Sequence, residues 1–322
     1  MQLYRDAFHA MGTPCEIQLY AQTQAKAQRA AELIIADVRR LEALYSRYRA
    51  DSFLSEINRV AMAGGRISVD EETAGLLNYA ATCYEQSEGL FDITSGILRR
   101  AWNFKSGKLP SKTQVQELLS KIGWSKLRWA PPVLEFPLPG MEIDFGGIVK
   151  EYAADRTASL SLQAGVRHGL VNLGGDIKII GPRPDGEPWR IGIRHPNHQG
   201  AATRMLLLQE GAIASSGDYE RCIVLNGVRY GHVLNPKTGW PVRHLASVTV
   251  VSDLCVVAGS ASTITMLKET DGPAWLRNLG LPHFWVDIQG ETGGSLEELS
   301  TETAASIGNG KQQAAIMVLD EH

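Results

Sequence analysis

Three glycine-bearing turns are the first features of this sequence that could bind a phosphate group. They are Met11-Gly12-Thr13, Asp144 to Lys150 with the pair Gly146-Gly147, and Asn172 to Asp176 with the pair Gly174-Gly175. Because glycine lacks a Cβ, a ligand can approach the backbone N–H groups closely, and a following helix adds unpaired donors. The second turn precedes a predicted helix, in which Lys150 would supply a compact cation for a pyrophosphate. None of the turns is a G-x-G-x-x-G motif or a P-loop, and each alone could simply reverse the chain.

A second stretch brings hydroxyl, carboxylate and imidazole groups close together in sequence. Ser215, Ser216 and Asp218 are followed by His232, and each stands beside a turn residue that would hold it at the edge of a sheet. Loops at such edges often carry function. The segment 235–239 is equally well explained as a tight hairpin turn, and a single histidine on a strand is often only a hydrogen-bonded polar group. Both interpretations are open on local grounds.

The composition limits the class of protein and its partners. The chain has 322 residues, 44% of them hydrophobic and 21% charged, which is typical of a folded globular protein with one large or two small cores. Its formal net charge is -3, so no overall basic field would attract nucleic acid or an anionic membrane. No apolar stretch reaches the roughly 18 residues of a membrane span, and the first residues do not resemble a signal peptide. We therefore expect a soluble, cytoplasmic protein that does not bind nucleic acid or span a membrane.

The four cysteines indicate neither a zinc site nor a redox pair. Cys15, Cys83, Cys222 and Cys255 are far apart and form no C-x-x-C motif. We expect them to be reduced, buried thiols.

The hydrophobic pattern predicts helices and strands in an irregular order. Helices are predicted at Gln24 to Tyr48, Asp70 to Ser87, Lys112 to Ile122, Val149 to Ala164 and Leu254 to Leu267. Strands are predicted at Thr13 to Ala21, Gly169 to Leu173, Trp189 to Arg194, Arg204 to Leu208, Arg221 to Leu225 and Ala246 to Ser252. Helices packed on a mixed or antiparallel sheet, an α+β fold, fit this order better than strict βαβ alternation.

A proline-rich segment separates the two halves of the pattern. From Arg128 to Gly140 the string APPVLEFPLPG is too rich in proline to predict regular structure, and strand-like residues follow from Met141 to Phe145. We therefore predict one domain over residues 1–322 with two lobes that meet near residues 130–140. The stretch from Glu291 to Lys311 is predicted to be mostly polar loop.

Taken together and in order, these segments resemble the FAD:protein FMN transferase (ApbE) family. The matching segments are Ala10 to Thr13, Ser46 to Arg49 with Ser52 to Asn58, Gly89 to Thr94 with Trp102 to Phe104, Asp144 to Arg156, Val171 to Asp176, Ser215 to Arg221, His232 to Pro241 and Ser247 to Thr263. The resemblance implies a bilobal fold related to the T-fold, with FAD in a cleft between the lobes. It also implies Mg²⁺-dependent cleavage of the FAD pyrophosphate and transfer of FMN to a Thr or Ser hydroxyl of an acceptor protein, with release of AMP.

The resemblance further implies roles for individual residues. Those that would contact the flavin, pyrophosphate or adenosine parts of FAD are Met11, Gly12, Thr13, Tyr48, Asp92, Gly146, Gly147, Lys150, Gly174, Gly175 and Asp176. In that set, Tyr48 would stack on a ring. Residues that would surround the scissile end are Ser216, Gly217, Asp218 and His232. His232 would orient or deprotonate the incoming hydroxyl.

The implied Mg²⁺ site departs from the family pattern. The resemblance places one ligand on the backbone carbonyl of Gly147 and another on Thr263, in a helix of small residues, because hard oxygen ligands suit Mg²⁺. When the helix is aligned by Thr263, the family's Asp falls on Gly259, which has no side chain. If that loss is the deficit, Gly259→Asp should raise turnover. A second departure is Glu151, where the family usually has glycine, and its charge could repel the pyrophosphate.

Several functions are therefore open. Asp253, Asp176 or Ser260 could compensate for Gly259, or the metal could be held by fewer protein ligands and more water, in a competent transferase. Alternatively, the chain binds FAD and has lost most of the transfer step, or it hydrolyses FAD to FMN and AMP. A nicotinamide or nucleotide enzyme is disfavoured, because the sequence lacks a G-x-G-x-x-G motif with an acidic residue about 20 positions further on.

Overall fold

The computed structural model describes residues 1–194, 202–218, 221–296 and 316–318. The helices are α1 (Gln24–Tyr45), α2 (Phe53–Ala63), α3 (Glu71–Gln86), α4 (Lys112–Leu119), α5 (Val149–Gln163), α6 (Cys255–Leu267) and α7 (Gly272–Asn278). The strands are β1 (Gln2–Ala10), β2 (Thr13–Ala21), β3 (Gly65–Ser68), β4 (Arg128–Ala130), β5 (Val133–Phe136), β6 (His168–Leu173), β7 (Asp176–Gly181), β8 (Trp189–Arg194), β9 (Ala202–Leu208), β10 (Ala212–Gly217), β11 (Cys222–Leu225), β12 (Val228–Gly231), β13 (Leu245–Ser252), β14 (His283–Asp287), β15 (Thr292–Gly294) and β16 (Ile316–Val318). Short 3₁₀ helices span Ile93–Arg100, Trp124–Lys126 and Glu269–Asp271.

An eight-stranded sheet organises the described chain, in the order β1-β2-β6-β7-β10-β13-β14-β15. Its described strand pairs are all antiparallel. Helices α5 and α6 pack against each other and against the middle strands. Helix α6 is rich in small buried residues, such as Ala258 and Ala261, so its neighbours can approach it closely. This arrangement confirms the α+β prediction and resolves the mixed or antiparallel choice in favour of antiparallel pairing.

Two tight hairpin turns lie at the same end of the sheet, because β2 pairs with β6. Met11 and Gly12 connect β1 to β2 with φ of 53° and 75°, and Gly174 and Gly175 connect β6 to β7 with φ of 66° and 99°. Positive φ at both central residues matches the twist of the flanking strands. A Cβ on Gly174 would lie 2.3 Å from Thr13 Oγ1, so the two turns can meet only with glycine there.

The proline-rich segment contains more regular structure than we predicted. Strands β4 and β5 form a hairpin around Pro131 and Pro132, and β5 also pairs with β3. The prediction of irregular structure was wrong because these prolines occupy the turn, where no ladder hydrogen bond is needed from their nitrogen. The lobe boundary near residues 130–140 stays a prediction.

The strand predicted at Met141 to Phe145 does not form. Its apolar residues Met141, Ile143 and Phe145 are buried as the pattern predicts, but Glu142 between them is buried too, so burial does not alternate as in a half-buried strand. The backbone of Ile143 nevertheless pairs with a side chain: its N–H donates to Asn58 Oδ1 at 2.8 Å, and its carbonyl accepts from Asn58 Nδ2 at 3.0 Å. A side-chain amide thus takes the place of a neighbouring strand.

The remaining predicted elements are confirmed with small changes at their ends. Helix α1 ends at Tyr45, so Tyr48 lies beyond it, and α4 ends at Leu119. None of the four cysteines, all in the described ranges, forms a disulfide; Cys222 is half-buried and the others are buried. Two parts of the predictions lie outside the described residues. They are Tyr219 and Glu220, within the matched segment Ser215 to Arg221, and residues 297–311 of the predicted polar loop. No helix in the described ranges is both long and apolar enough to cross a bilayer.

Candidate functional site

Helix α5 brings Lys150 to the sheet end that carries the two hairpin turns. The helix begins directly after the Gly146-Gly147 turn, as predicted, and Lys150 Nζ forms an ion pair with Asp176, the first residue of β7. Asp176 Oδ1 also accepts a hydrogen bond from the Ser215 N–H at 3.3 Å. The predicted phosphate-binding lysine and the predicted binding carboxylate are therefore direct partners at one edge of the sheet.

A network of hydroxyl groups connects β10 to α6. Ser216 Oγ lies 2.8 Å from Ser262 Oγ and 2.9 Å from Thr263 Oγ1. Ser262 Oγ also donates to the Gly259 carbonyl at 2.9 Å. The network thus places Ser216, predicted at the scissile end, beside Thr263, predicted as a metal ligand.

The space beside Gly259 is filled by the side chain of Glu151. A Cβ on Gly259 would lie 2.5 Å from Glu151 Cγ and 3.3 Å from Glu151 Oε1. Glu151 is 6% exposed, its Oε1 lies 3.6 Å from Lys150 Nζ, and its Oε2 has no hydrogen-bond partner in the described ranges. The two departures from the family pattern are therefore in direct contact, across the α5–α6 interface.

His232 follows β12, and the last residue of that strand, Gly231, lies against Asp218. A Cβ on Gly231 would be 2.7 Å from Asp218 Cβ, so this close approach requires glycine. The pKa of His232 is lowered to about 4, first because protein atoms crowd the ring and then because Arg221 and Arg47 are positively charged. His232 is nevertheless exposed, and the water around the ring moderates the first effect. At neutral pH the imidazole is uncharged and can accept a proton.

Asp218 is buried beside the end of β10. Its N–H donates to the Ala246 carbonyl at 3.0 Å, and its Oδ1 lies 3.4 Å from Arg229 Nη1. Burial raises the pKa of Asp218, and the charge of Arg229 opposes that rise. These contacts tie the residue that follows β10 to β12 and β13.

Arg47 is a candidate that the sequence interpretation did not single out. It forms an ion pair with Asp144 and donates from Nη2 to the Tyr48 hydroxyl at 2.9 Å. Its guanidinium carbon lies 5.0 Å from the centroid of the Tyr48 ring. Tyr48 is 77% exposed, which leaves a ring face accessible for stacking. The signal was available in sequence, because Arg47 lies inside a segment that matched the family.

Asp92 has a structural explanation in these contacts. Its Oδ1 accepts from the Thr94 N–H at 2.8 Å and from Thr94 Oγ1 at 2.6 Å, and its Oδ2 accepts from the Trp124 N–H at 2.9 Å. The buried carboxylate caps a 3₁₀ helix and ties it to a second segment. A role for Asp92 in ligand binding stays a prediction.

The oxygen atoms at the α5–α6 interface suit a hard divalent cation. Over the described ranges, no group of three or more His, Cys, Asp and Glu side chains could hold a metal. Mg²⁺ needs no such group, because it usually keeps several waters and binds one or two carboxylates together with substrate phosphates. Glu151 and Asp176 supply carboxylates, and Thr263 supplies a hydroxyl. The carbonyl of Gly147 lies just before α5. The orphaned buried Oε2 of Glu151 is the observation that supports the fit.

Comparison with known sequences gives one consistent result. The profile of the ApbE family matches residues 11–285. The FAD:protein FMN transferase of Haemophilus influenzae is 31% identical over 252 residues, which are 75% of this chain and 72% of the relative. The FAD:protein FMN transferase of Rhodobacter capsulatus is 28% identical over 286 residues, which are 86% of this chain. The chain spans about half, 54%, of the length of that Rhodobacter relative.

Solved structures show the same likeness. The apbe protein of Thermotoga maritima superposes with a TM-score of 0.84 at 31% identity, over 92% of this chain and 98% of that one. The flavin transferase ApbE of Vibrio cholerae superposes with a TM-score of 0.82 at 25% identity, over 93% of this chain and 100% of that one.

Proposed function

The chain belongs to the ApbE family, and from that premise we propose that it binds FAD and transfers FMN to a Thr or Ser hydroxyl of an acceptor protein, releasing AMP. The observation that carries the proposal is the convergence of groups at one end of the central sheet. The glycine turns that we expect to bind the diphosphate lie beside the Lys150 and Asp176 pair, and Ser216 extends the same edge. Each group has a place in phosphoryl transfer.

Binding of FAD would use backbone and cationic groups that these turns expose. The Gly174 and Gly175 turn and the start of α5 would accept the diphosphate, with Lys150 as its nearest cation. The exposed ring of Tyr48 would stack on one of the two ring systems of FAD, and Arg47 beneath it adds positive charge. Mg²⁺, when bound, would neutralise charge on the transferred phosphoryl group, and Glu151, Asp176, Thr263 and Gly147 are the residues that would hold it.

In the transfer step the acceptor hydroxyl oxygen forms a bond to the phosphorus of the FMN part. The bond from that phosphorus to the bridging oxygen breaks, and AMP leaves with the oxygen. The hydroxyl proton passes to His232, which is uncharged at neutral pH because its pKa is low. A bound diphosphate would raise the pKa of His232, since an anion favours the protonated imidazole, and would make it a stronger base in the complex.

The test is transfer of flavin to an acceptor protein that other members of the family modify. Purified chain, FAD and Mg²⁺ should give an acceptor whose flavin fluorescence survives denaturation. His232→Asn should lower the rate by roughly 10²- to 10⁴-fold while FAD affinity changes little, since general base catalysis contributes about that much. The rate of the unchanged protein should also fall as pH decreases, whereas the residual rate of His232→Asn should not depend on that titration.

His168→Asn is a matched control for this variant. His168 starts β6 at the opposite end of the sheet, where its Nδ1 lies 2.7 Å from the Pro182 carbonyl oxygen. The variant His168→Asn should leave the rate of flavin transfer unchanged. Retention of intact FAD without an adduct would support a binding protein instead, and release of free FMN and AMP would support a pyrophosphatase. Either result overturns the proposal.

A further inference from the structure

We propose that Glu151 supplies a carboxylate ligand to the divalent cation in this chain, from helix α5 and into the space left by Gly259. This inference rests on the proposed function, because that function requires a cation beside the FAD diphosphate. It identifies the charged ligand of the cation, because the Gly147 carbonyl and the Thr263 hydroxyl are both neutral.

The first argument is the occupied volume. A side chain on Gly259 would start 2.5 Å from Glu151 Cγ, and Glu151 Oε1 lies 3.3 Å from the position of that Cβ. A carboxylate carried by residue 259 and the carboxylate of Glu151 would therefore compete for the same space. Glycine at 259 and glutamate at 151 are sterically matched, so the negative charge is present but comes from the other helix.

The second argument is the local charge. Glu151 Oε1 lies 3.6 Å from Lys150 Nζ, but the same ammonium group is paired with Asp176. Two buried carboxylates thus share one lysine. Burying an ionised carboxylate without full compensation costs several kcal/mol, so such groups are normally paired or coordinate a metal. An added divalent cation would compensate the excess negative charge.

The third argument is the free oxygen atom. Glu151 Oε2 is buried and has no hydrogen-bond partner in the described ranges. Buried carboxylate oxygens are rarely left in this state. One helical turn from Gly259, Thr263 presents its Oγ1 near Ser216 Oγ at 2.9 Å. Carboxylate and hydroxyl oxygens are both ligands that Mg²⁺ accepts, and the Thr263 hydroxyl lies one helical turn from the glycine whose space Glu151 fills.

The experiment measures cation binding directly. Mn²⁺ is titrated into the full chain and followed by electron paramagnetic resonance, with and without FAD, and Mg²⁺ is used to displace it. Glu151→Gln should weaken Mn²⁺ binding at least about tenfold, because loss of even an outer-shell partner has an effect of about that size. Asp155→Asn, which removes a carboxylate one turn along the same helix, should leave Mn²⁺ affinity unchanged within about twofold.

An exchange of the two side chains provides an independent measurement. Glu151→Gly alone should lose Mn²⁺ binding, whereas the double variant Glu151→Gly with Gly259→Asp should regain it, with the carboxylate now on α6. Gly259→Asp alone should not raise turnover, because Glu151 already fills the space. This revises the expectation drawn from the sequence.

The outcomes separate this inference from the proposed function. If Glu151→Gln and Glu151→Gly bind Mn²⁺ as tightly as the unchanged protein, Glu151 is not a ligand, even when flavin transfer proceeds normally. Failure of the unchanged protein to bind Mn²⁺ with FAD present would overturn the inference as well. Failure to bind FAD or to flavinylate an acceptor would instead overturn the proposed function.

Discussion

The two halves of the α5–α6 interface each contain a carboxylate from α5, and the hydrogen bonding of these two carboxylates differs. At the start of α6, Asp155 accepts from the N–H groups of Cys255 at 2.7 Å and Val256 at 3.0 Å, so both of its oxygens are used. One turn earlier on α5, Glu151 meets Gly259 and leaves Oε2 without a partner in the described ranges. Asp155 therefore completes a helix end, while Glu151 retains the capacity to bind something that is not protein.

The difference teaches how a structural carboxylate can be told from a functional one. Both groups are carboxylates on the same helix, Glu151 buried and Asp155 half-buried, so charge and position in the sequence alone would not distinguish them. Asp92 behaves like Asp155, since both of its oxygens accept hydrogen bonds from neighbouring N–H or hydroxyl groups. A buried carboxylate oxygen that has no hydrogen-bond partner and lies beside a glycine is the more informative sign of a binding site.

The largest expected effect is on the Gly259 side of the interface. Gly259→Ala should destabilise the protein by about 1 to 3 kcal/mol, since its Cβ would lie 2.5 Å from Glu151 Cγ in a buried interface. The measurement is the free energy of unfolding from urea denaturation without added metal. Gly75→Ala on α3 is the matched control, because a Cβ there meets nothing within 4 Å. It should stabilise by about 0.5 to 1 kcal/mol, as alanine does in a helix.

A second background sharpens that test. With Glu151→Gly already present, Gly259→Ala should become neutral or stabilising, because the obstructing side chain is gone. An equal loss of stability in both backgrounds would show that Gly259 is required by the packing of α6 on the sheet, and the contrast between the two halves of the interface would then fail.

The next effect is on the structural half. Asp155→Ala should lower the free energy of unfolding by about 2 kcal/mol, because two N–H groups at the start of α6 lose a charged acceptor. Asp155→Asn keeps an acceptor oxygen and should lose less. In both variants the folded fraction should retain its rate of flavin transfer. A selective loss of transfer, with stability unchanged, would mean that Asp155 belongs to the functional site.

The sequence predicted the local parts of this architecture well. The strand from Thr13 to Ala21 and the helix after the Gly146-Gly147 turn follow from residue periodicity and glycine placement, which are short-range properties. The prediction for the proline-rich segment was wrong because it follows from the number of prolines, whereas the structure depends on their position in a turn between two strands. The segment Met141 to Phe145 shows the same limit. Its apolar pattern is typical of a strand, but the backbone of Ile143 forms its hydrogen bonds with the side chain of Asn58 and not with a neighbouring strand.

The residues of the candidate site can be named from the sequence, but the contacts among them cannot. Each glycine turn is visible in sequence, and the family resemblance orders them. The contact between Glu151 and Gly259, and the ion pair between Arg47 and Asp144, depend on which faces of distant elements pack together. No local pattern records that choice. From the sequence alone, Glu151 predicts repulsion of the diphosphate and Gly259 predicts a missing ligand, whereas in the fold the Glu151 side chain fills the space beside Gly259.

The smallest expected effect has the most distinctive sign. Glu151→Gln should raise the free energy of unfolding in the presence of EDTA, by about 1 kcal/mol or less. It replaces a buried, incompletely paired charge by a neutral amide and removes one of the two carboxylates that share Lys150. The corresponding change Asp155→Asn should lower the free energy of unfolding, because the Asp155 carboxylate accepts two hydrogen bonds. Thermal denaturation with excess Mg²⁺ should then show a stabilising shift for the unchanged protein that is reduced in Glu151→Gln. If Glu151→Gln is instead destabilising to the same degree as Asp155→Asn, the carboxylate of Glu151 serves the fold, and the distinction between the two halves of the interface is lost.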